Sequence, residues 1–278
     1  MDQQIFQRGE TDMAIEKGEA GRSGFRRARN YHLGKNLVTA VCVLTLAAIV
    51  YTMFDSLSAG LVTFAVLAIG FKAMWSHMKK ELHYYEEHER RESKGARAEE
   101  RIGALLRELS DDHVVFHDIK SPYGNIDHVI INEKNQVFLI ETKSHHGEVT
   151  REKDKLLVNH KMPEKDFISQ AVKNTFWLKK AIEEKASSRV FITSMVVFTN
   201  ASVRITGPLK KILVINKNDL LKTIADTPHR SARSLTYSRL FEVIADLQGK
   251  KGGALPHLSF GSKGTDAPTG TQVQQKTT

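Results

Sequence analysis

The sequence predicts an α/β sandwich with the element order αβββαβ, preceded by a transmembrane helical hairpin. Three observations predict it. Two long runs near the N-terminus are almost free of charge; β-like and helix-period patterns alternate from about Arg97 to Leu247; and both ends of the chain lack apolar periodicity. The net charge of +9 suits an anionic partner, either nucleic acid or an acidic lipid surface. The single cysteine, Cys42, excludes an internal disulfide framework and any multi-cysteine zinc site.

Leu37 to Phe54 carries no charged residue before Asp55, and at about 1.5 Å per helical residue it approaches the thickness of a bilayer's hydrocarbon core. A second run, Leu57 to Trp75, is broken only by Lys72, which can snorkel toward the headgroups beside Trp75. Arg22, Arg26, Arg27, Arg29 and Lys35 precede the first span, Lys79 and Lys80 follow the second, and the turn between has neither Lys nor Arg. By the positive-inside rule this places the chain in the inner (cytoplasmic) membrane with two spans and both termini cytoplasmic. The organisation expected is a basic, largely disordered segment over 1–36, the hairpin over 37–75, a charged helical linker over 76–94, a folded domain over 95–248 and a disordered tail over 249–278. Most charges of the linker read as a solvated surface.

Within the folded domain, Arg97 to Leu109 is an amphipathic helix with Ile102, Leu105, Leu106 and Leu109 on one face. Three β-like runs follow, His113 to Ile119, Asn125 to Asn132 and Gln136 to Lys143, separated by the turns at Tyr123-Gly124-Asn125 and Glu133-Lys134-Asn135. Short runs at Gly147 to Thr150 and Lys155 to His160 suggest a further hairpin. Glu164 to Lys185 reads as a long helix started by Pro163, and Arg189 to Thr199 as a strand. Ile212 to Ile215 is a last strand, Asp219 caps a helix toward Ala225, and Ser231 to Leu247 is a final helix over the sheet.

The third β-like run carries the sharpest chemical signal. Alternation puts Val137, Leu139, Glu141 and Lys143 on one face, so a carboxylate and an ammonium sit side by side on a surface that should face the core. A structural ion pair at a strand end would account for those two alone. Asp127 alters the balance, because an antiparallel neighbour brings it near Glu141, and converging carboxylates imply a cation or a raised pKa. Helical periodicity turns Glu99 toward the sheet and Glu100 toward water. On the long later helix, Gln170 and Asn174 fall on the apolar face of Phe167, Ala171, Leu178 and Ile182; for Asn174 a bond to core backbone is the simpler reading. His145 and His146 are adjacent on a strand and point to opposite faces, which disfavours a shared metal ion. Phe176 and Trp177 read as core.

The string Gly124-Asn125-Ile126-Asp127-His128-Val129, followed by Val137-Phe138-Leu139-Ile140-Glu141-Thr142-Lys143 and Gly147, resembles the core of the nuclease-related domain (NERD) family. That family is assigned to the PD-(D/E)xK nuclease superfamily, and the resemblance covers about Gly95 to Ile224. It implies a restriction-endonuclease-like αβββαβ sandwich and hydrolysis of phosphodiester bonds with Mg²⁺ or Mn²⁺ as cofactor. Asp127, Glu141 and the carbonyl of Thr142 would hold the metal, and Glu99 a second ion. Lys143 would position or deprotonate the attacking water and stabilise charge on the phosphate, with Gln170 orienting nucleic acid or the lysine. Ile126 stands where the superfamily's name has proline, and Ala98 where the family often has glycine; neither change removes a ligand.

The partners implied are nucleic acid, DNA above all, and the lipid bilayer, with concentration in two dimensions favouring a homo-oligomer. Lys120, Arg151, Lys153, Lys173, Lys179 and Lys180 are candidate contacts to a phosphate backbone, most of them expected as plain surface. The function expected is a membrane-anchored nuclease acting on DNA at the cytoplasmic membrane face, suited to defence against phage or plasmid DNA. The alternatives are a catalytically silent nucleic-acid-binding module and a membrane sensor that uses the nuclease fold.

Overall fold

The computed structural model describes residues 13–55, 61–132, 134–229 and 235–249. A short strand, β1 (Ile15–Lys17), leads into α1 (Arg22–Asp55) and then α2 (Leu61–Leu106). Strands β2 (His113–Ser121), β3 (Gly124–Asn132), β4 (Val137–Glu152) and β5 (Lys155–Val158) follow, then α3 (Phe167–Ala186), β6 (Ile192–Val203), β7 (Ile212–Asn216), α4 (Leu220–Asp226) and α5 (Tyr237–Gly249). The sheet runs β1-β2-β3-β4-β6-β7, with β5 paired to the far half of β4. The β2-β3-β4 meander is antiparallel, whereas β6 adds parallel to β4 after the crossover through α3, and β7 adds parallel to β6. This is a mixed α/β arrangement compatible with a nuclease fold.

Alternation divides the core by sheet face. Val129, Ile131, Val137 and Leu139 pack with Leu178 and Ile182 of α3 and with Leu240, Val243 and Ile244 of α5. Val115, Ile130, Phe138 and Ile140 project the other way, against Ile102 and Leu106 of α2 and Leu220 and Ile224 of α4. Ile102 and Leu106 are fully buried, and each such side chain contributes roughly 1.5–3 kcal/mol, which fixes the end of α2 on the sheet.

The segment expected to be disordered is not so from Met13 onward. Ile15 pairs with Val114 and Lys17 with Phe116, Ala14 is buried in the α2-side core, and Gln248 of α5 donates to the Lys17 carbonyl at 2.8 Å. The chain then turns at Gly21 (φ 73°), where a Cβ would stand 2.5 Å from the Ala96 carbonyl oxygen, so only glycine lets α1 start this close to α2. Three residues of strand are too few for sequence periodicity to register.

Residues Arg22–Tyr51 of α1 are long and apolar enough to cross a membrane, with a mean hydropathy of 2.0 over the most apolar window and none of that window buried. Residues 56–60, within the expected hairpin, lie outside the described residues. Helix α2 runs unbroken through the remainder of the second apolar run, the charged linker and the first helix of the folded domain, so the separate amphipathic helix expected from Arg97 is the last part of one long helix. Outside the apolar stretch α1 and α2 are stitched together. Arg27 donates to Glu92 at 2.8 Å, Lys35 lies 3.3 Å from Glu89, and Tyr31 stacks on His88 with ring centroids 5.0 Å apart.

Other boundaries move for local reasons. Helix α3 begins at Phe167 because Asp166 caps it, accepting from the Ser169 amide at 3.0 Å and the Ser169 hydroxyl at 2.6 Å. Asp219 occupies the cap position of α4 without a side-chain cap bond; Asn216 instead accepts from the Asn218 amide at 2.9 Å and caps the preceding 3₁₀ turn. The short run at Gly147 is a continuation of β4, whose register against β6 shifts between Lys143 and His146. At Gly147 (φ 94°) the Asn159 side chain fills the place of a Cβ, accepting from the Glu148 amide at 2.9 Å and donating to the His146 carbonyl at 3.1 Å. Residues 230–234, at the start of the expected last helix, and the tail from 250 lie outside the described residues.

Candidate active site

The β3–β4 register pairs His128 with Ile140, and the next residues in each direction are Asp127 and Glu141. Past that point the ladder gives way to a side chain: the Thr142 amide donates to Asp127 Oδ2 at 2.6 Å. Glu141 is buried, and Lys143 Nζ donates to its Oε1 at 2.6 Å. The ammonium also reaches Gln170 Oε1 at 3.4 Å and lies 4.9 Å from the centre of the Phe167 ring. The remaining oxygen, Glu141 Oε2, is buried without a hydrogen-bond partner. Asp127, Glu141, Lys143 and Gln170 thus come together at one sheet end, as alternation and helical spacing predict.

Glu99 approaches from α2, half-buried, while Glu100 is exposed. Burial, then the charge of Asp118, raises the Glu99 carboxyl to about 7, with Arg27 opposing, Glu141 adding and Lys143 opposing. Burial also pushes Asp127 well above the usual carboxylate range, reinforced by Glu141 and Glu99 and resisted by Lys143 and the Thr142 amide. For Lys143 burial favours the neutral amine, but Glu141, Asp127 and Glu99 outweigh it and raise its pKa. The site therefore concentrates carboxylates around one committed ammonium.

Two contributors escaped the sequence reading. Asp118 has φ 57° and sits between the pairs His117–His128 and Ile119–Ile126, so it leaves the strand alternation; its Oδ1 accepts from Asn125 Nδ2 at 2.6 Å. Its signal was an acid inside the apolar run His113 to Ile119. Arg27 belongs to α1 and no motif points to it. Asn174, expected to bond to core backbone, accepts instead from the Ser121 hydroxyl at 2.6 Å, and its Nδ2 is buried without a partner. Phe176, expected in the core, is 69% exposed, whereas Trp177 packs on the α3-side core. His145 stacks near Phe167, ring centroids 5.0 Å apart, and His146 is exposed.

For a metal, the donor chemistry fits a hard cation: carboxylate oxygens, one of them orphaned, beside a strand end. Among the described residues no three Asp, Glu, His or Cys side chains form a group able to hold an ion by themselves, so the set needs a backbone carbonyl, water or a substrate oxygen to complete it.

Two acids, a lysine and a helix glutamine thus gather at one strand end of an α/β sheet. Residues 94–199 match the family model for the nuclease-related domain (NERD), and the chain carries a nuclease-related domain over that stretch, from the end of α2 to most of β6. No curated protein and no solved structure matches the chain.

Proposed function

We propose that this chain is a membrane-anchored, metal-dependent nuclease that hydrolyses phosphodiester bonds, of DNA above all, at the cytoplasmic face of the membrane. The observation that carries the reading is the convergence of Asp127 and Glu141 around an unpartnered carboxylate oxygen, with Lys143 beside it, inside the nuclease-related domain. Like charges brought together at a buried strand end cost stability unless a cation offsets them.

Asp127, Glu141 and the Thr142 carbonyl would hold Mg²⁺ or Mn²⁺, with Glu99 beside them. When bound, the ion supplies Lewis-acid polarisation of the phosphate and a more acidic water. The chain's own residues do the rest. Lys143 stays an ammonium, which suits it to neutralising charge on the phosphate and not to acting as a base. Burial and the charge of Asp118 raise Glu99 to about 7 in the metal-free chain, which suits it to hold or release a proton near neutral pH. Gln170 steadies the ammonium through its Oε1.

The anchor in this reading is α1 with the apolar start of α2 as a two-span hairpin, both termini cytoplasmic. The apolar length of α1 and the flanking arginines support it. Such a placement suits cleavage of foreign DNA as it enters the cell.

The test is cleavage of plasmid and single-stranded DNA by the full chain in detergent, with Mg²⁺, Mn²⁺ or EDTA. Metal-dependent cutting that falls at least about a hundredfold in Asp127→Ala and in Lys143→Ala is expected. A folded chain that binds DNA and cuts with neither metal would overturn the catalytic reading in favour of a binding module.

A further inference from the structure

Arg90, Lys94, Arg97 and Arg101 recur on α2 at steps of four, three and four, which at about 100° per residue confines them to an arc of roughly 60°. All four are exposed, and none pairs with a carboxylate among the described residues. Their neighbours behave otherwise. Arg91 pairs with Glu87 at 2.6 Å, Arg107 with Glu16 at 2.9 Å, and Lys179 and Lys180 of α3 with Glu183 and Glu184.

The stripe lines a groove of about 620 Å³ together with His146 and Asn200, which pair at the register shift between β4 and β6, and Lys35 of α1. Arg101 reaches across it to Asn200 Oδ1 at 3.4 Å. Glu86 and Glu89 also line it, and Glu89 is already engaged by Lys35 and His32. The groove is linked to the active site through neighbouring side chains. Lys94 acts electrostatically on His145, whose ring abuts Phe167, and Phe167 carries the Lys143 ammonium on its face.

We infer that the Arg90–Lys94–Arg97–Arg101 stripe is a phosphate-backbone track that carries a nucleic-acid strand from the membrane side of the protein to Lys143. This rests on the proposed nuclease reading and names the surface that would hold its substrate. Among the described residues no carboxylate neutralises any of the four, and the neutral amide of Asn200 leaves the charge of Arg101 in place, so the stripe is available to an anionic polymer. From Arg90 to Arg101 the helix rises about 16 Å. That matches the axial length of roughly five nucleotides of one strand at about 3.4 Å each.

An acidic lipid surface is the rival anion; the groove's Lys35 lies two residues before the first apolar run, but the stripe itself runs away from the membrane. The stripe lies 10 to 21 residues beyond Lys80, about 15 to 30 Å along the helix, against a Debye length of about 8 Å at physiological salt.

The experiment measures binding of fluorescent duplex and single-stranded DNA to the full chain in detergent, in EDTA, across a salt series. It compares the wild type with R90Q/K94Q/R97Q/R101Q, the milder K94Q/R97Q, and the control K155Q/K222Q, two exposed lysines on β5 and α4. The fourfold variant is expected to lose at least tenfold in affinity at low salt. Its log–log salt slope should become shallower by about three to four for duplex, and the double variant should lose about half of that. The control should match the wild type. Wild-type affinity and slope in the fourfold variant, with cleavage intact, would discard the track and leave the nuclease reading standing. A wild type that binds no DNA at any salt would remove both. Loss of binding to micelles doped with phosphatidylglycerol, with DNA affinity unchanged, would overturn the track in favour of a lipid site.

Discussion

Two consecutive residues of β3 open onto two buried polar clusters of opposite character. Asp127 accepts from the Thr142 amide and lies among the charges of Glu141, Glu99 and Lys143. His128 faces α2, where its Nδ1 lies 2.8 Å from His117 Nδ1, and His117 Nε2 lies 3.2 Å from Glu16, itself held by Arg107. The first cluster crowds carboxylates around one ammonium, and burial, then the neighbouring carboxylates, push Asp127 and Glu99 up. In the second, burial lowers both histidines and keeps them neutral. The lesson is that burial of polar groups does not by itself mark a reaction centre. A neutral pair that joins β1 to the sheet is explained by the fold, whereas converging carboxylates are explained only by something that binds them.

The comparison breaks most sharply at Asp127. Asp127→Asn removes a negative charge from a crowd of them while preserving the bond from the Thr142 amide, so cleavage should be lost while the metal-free chain melts at a higher temperature. Lower stability in that variant would mean the carboxylates are not in conflict.

The histidine cluster should respond in the opposite way. His117→Leu leaves a buried nitrogen of His128 and the Glu16 carboxylate short of a partner, at a cost of about 1–3 kcal/mol in denaturant unfolding. Replacing both histidines by leucine should cost less than the sum of the single changes, and strict additivity would show that the pair is not coupled.

Their legibility in the sequence also differed. Alternation along β4 exposed Glu141 and Lys143 because charge on a core-facing strand surface is conspicuous, and the helical period set Glu99 apart from Glu100. Asp118 was hidden by its positive φ, which breaks the alternation that the reading relied on. The N-terminal strand was too short to show a period. The stripe on α2 had a visible period but looked like a wet surface; that it lacks carboxylate partners while Arg91 pairs with Glu87 and Glu164 is a fact of three dimensions.

A smaller effect separates the clusters by pH. Histidines held below their usual value of about 6.5 contribute stability above it, which is lost as pH falls toward their folded values. Glu99, raised to about 7, contributes the reverse: in the absence of metal, stability falls as pH rises from about 4.5 through 7. Thermal melts in EDTA from pH 5 to 8 should therefore gain a positive dependence on pH in Glu99→Gln and lose it in the double histidine variant. Identical profiles in both variants would contradict the assignment.

Whether the Asp127–Glu141 convergence holds a divalent cation is tested most directly by Mn²⁺ binding to the full chain, followed by electron paramagnetic resonance near neutral pH. Binding in the wild type and in His117→Leu, with loss in Asp127→Asn, is the predicted result. Equal binding by Asp127→Asn and the wild type, or no binding by a folded wild-type chain at millimolar Mn²⁺, would contradict it.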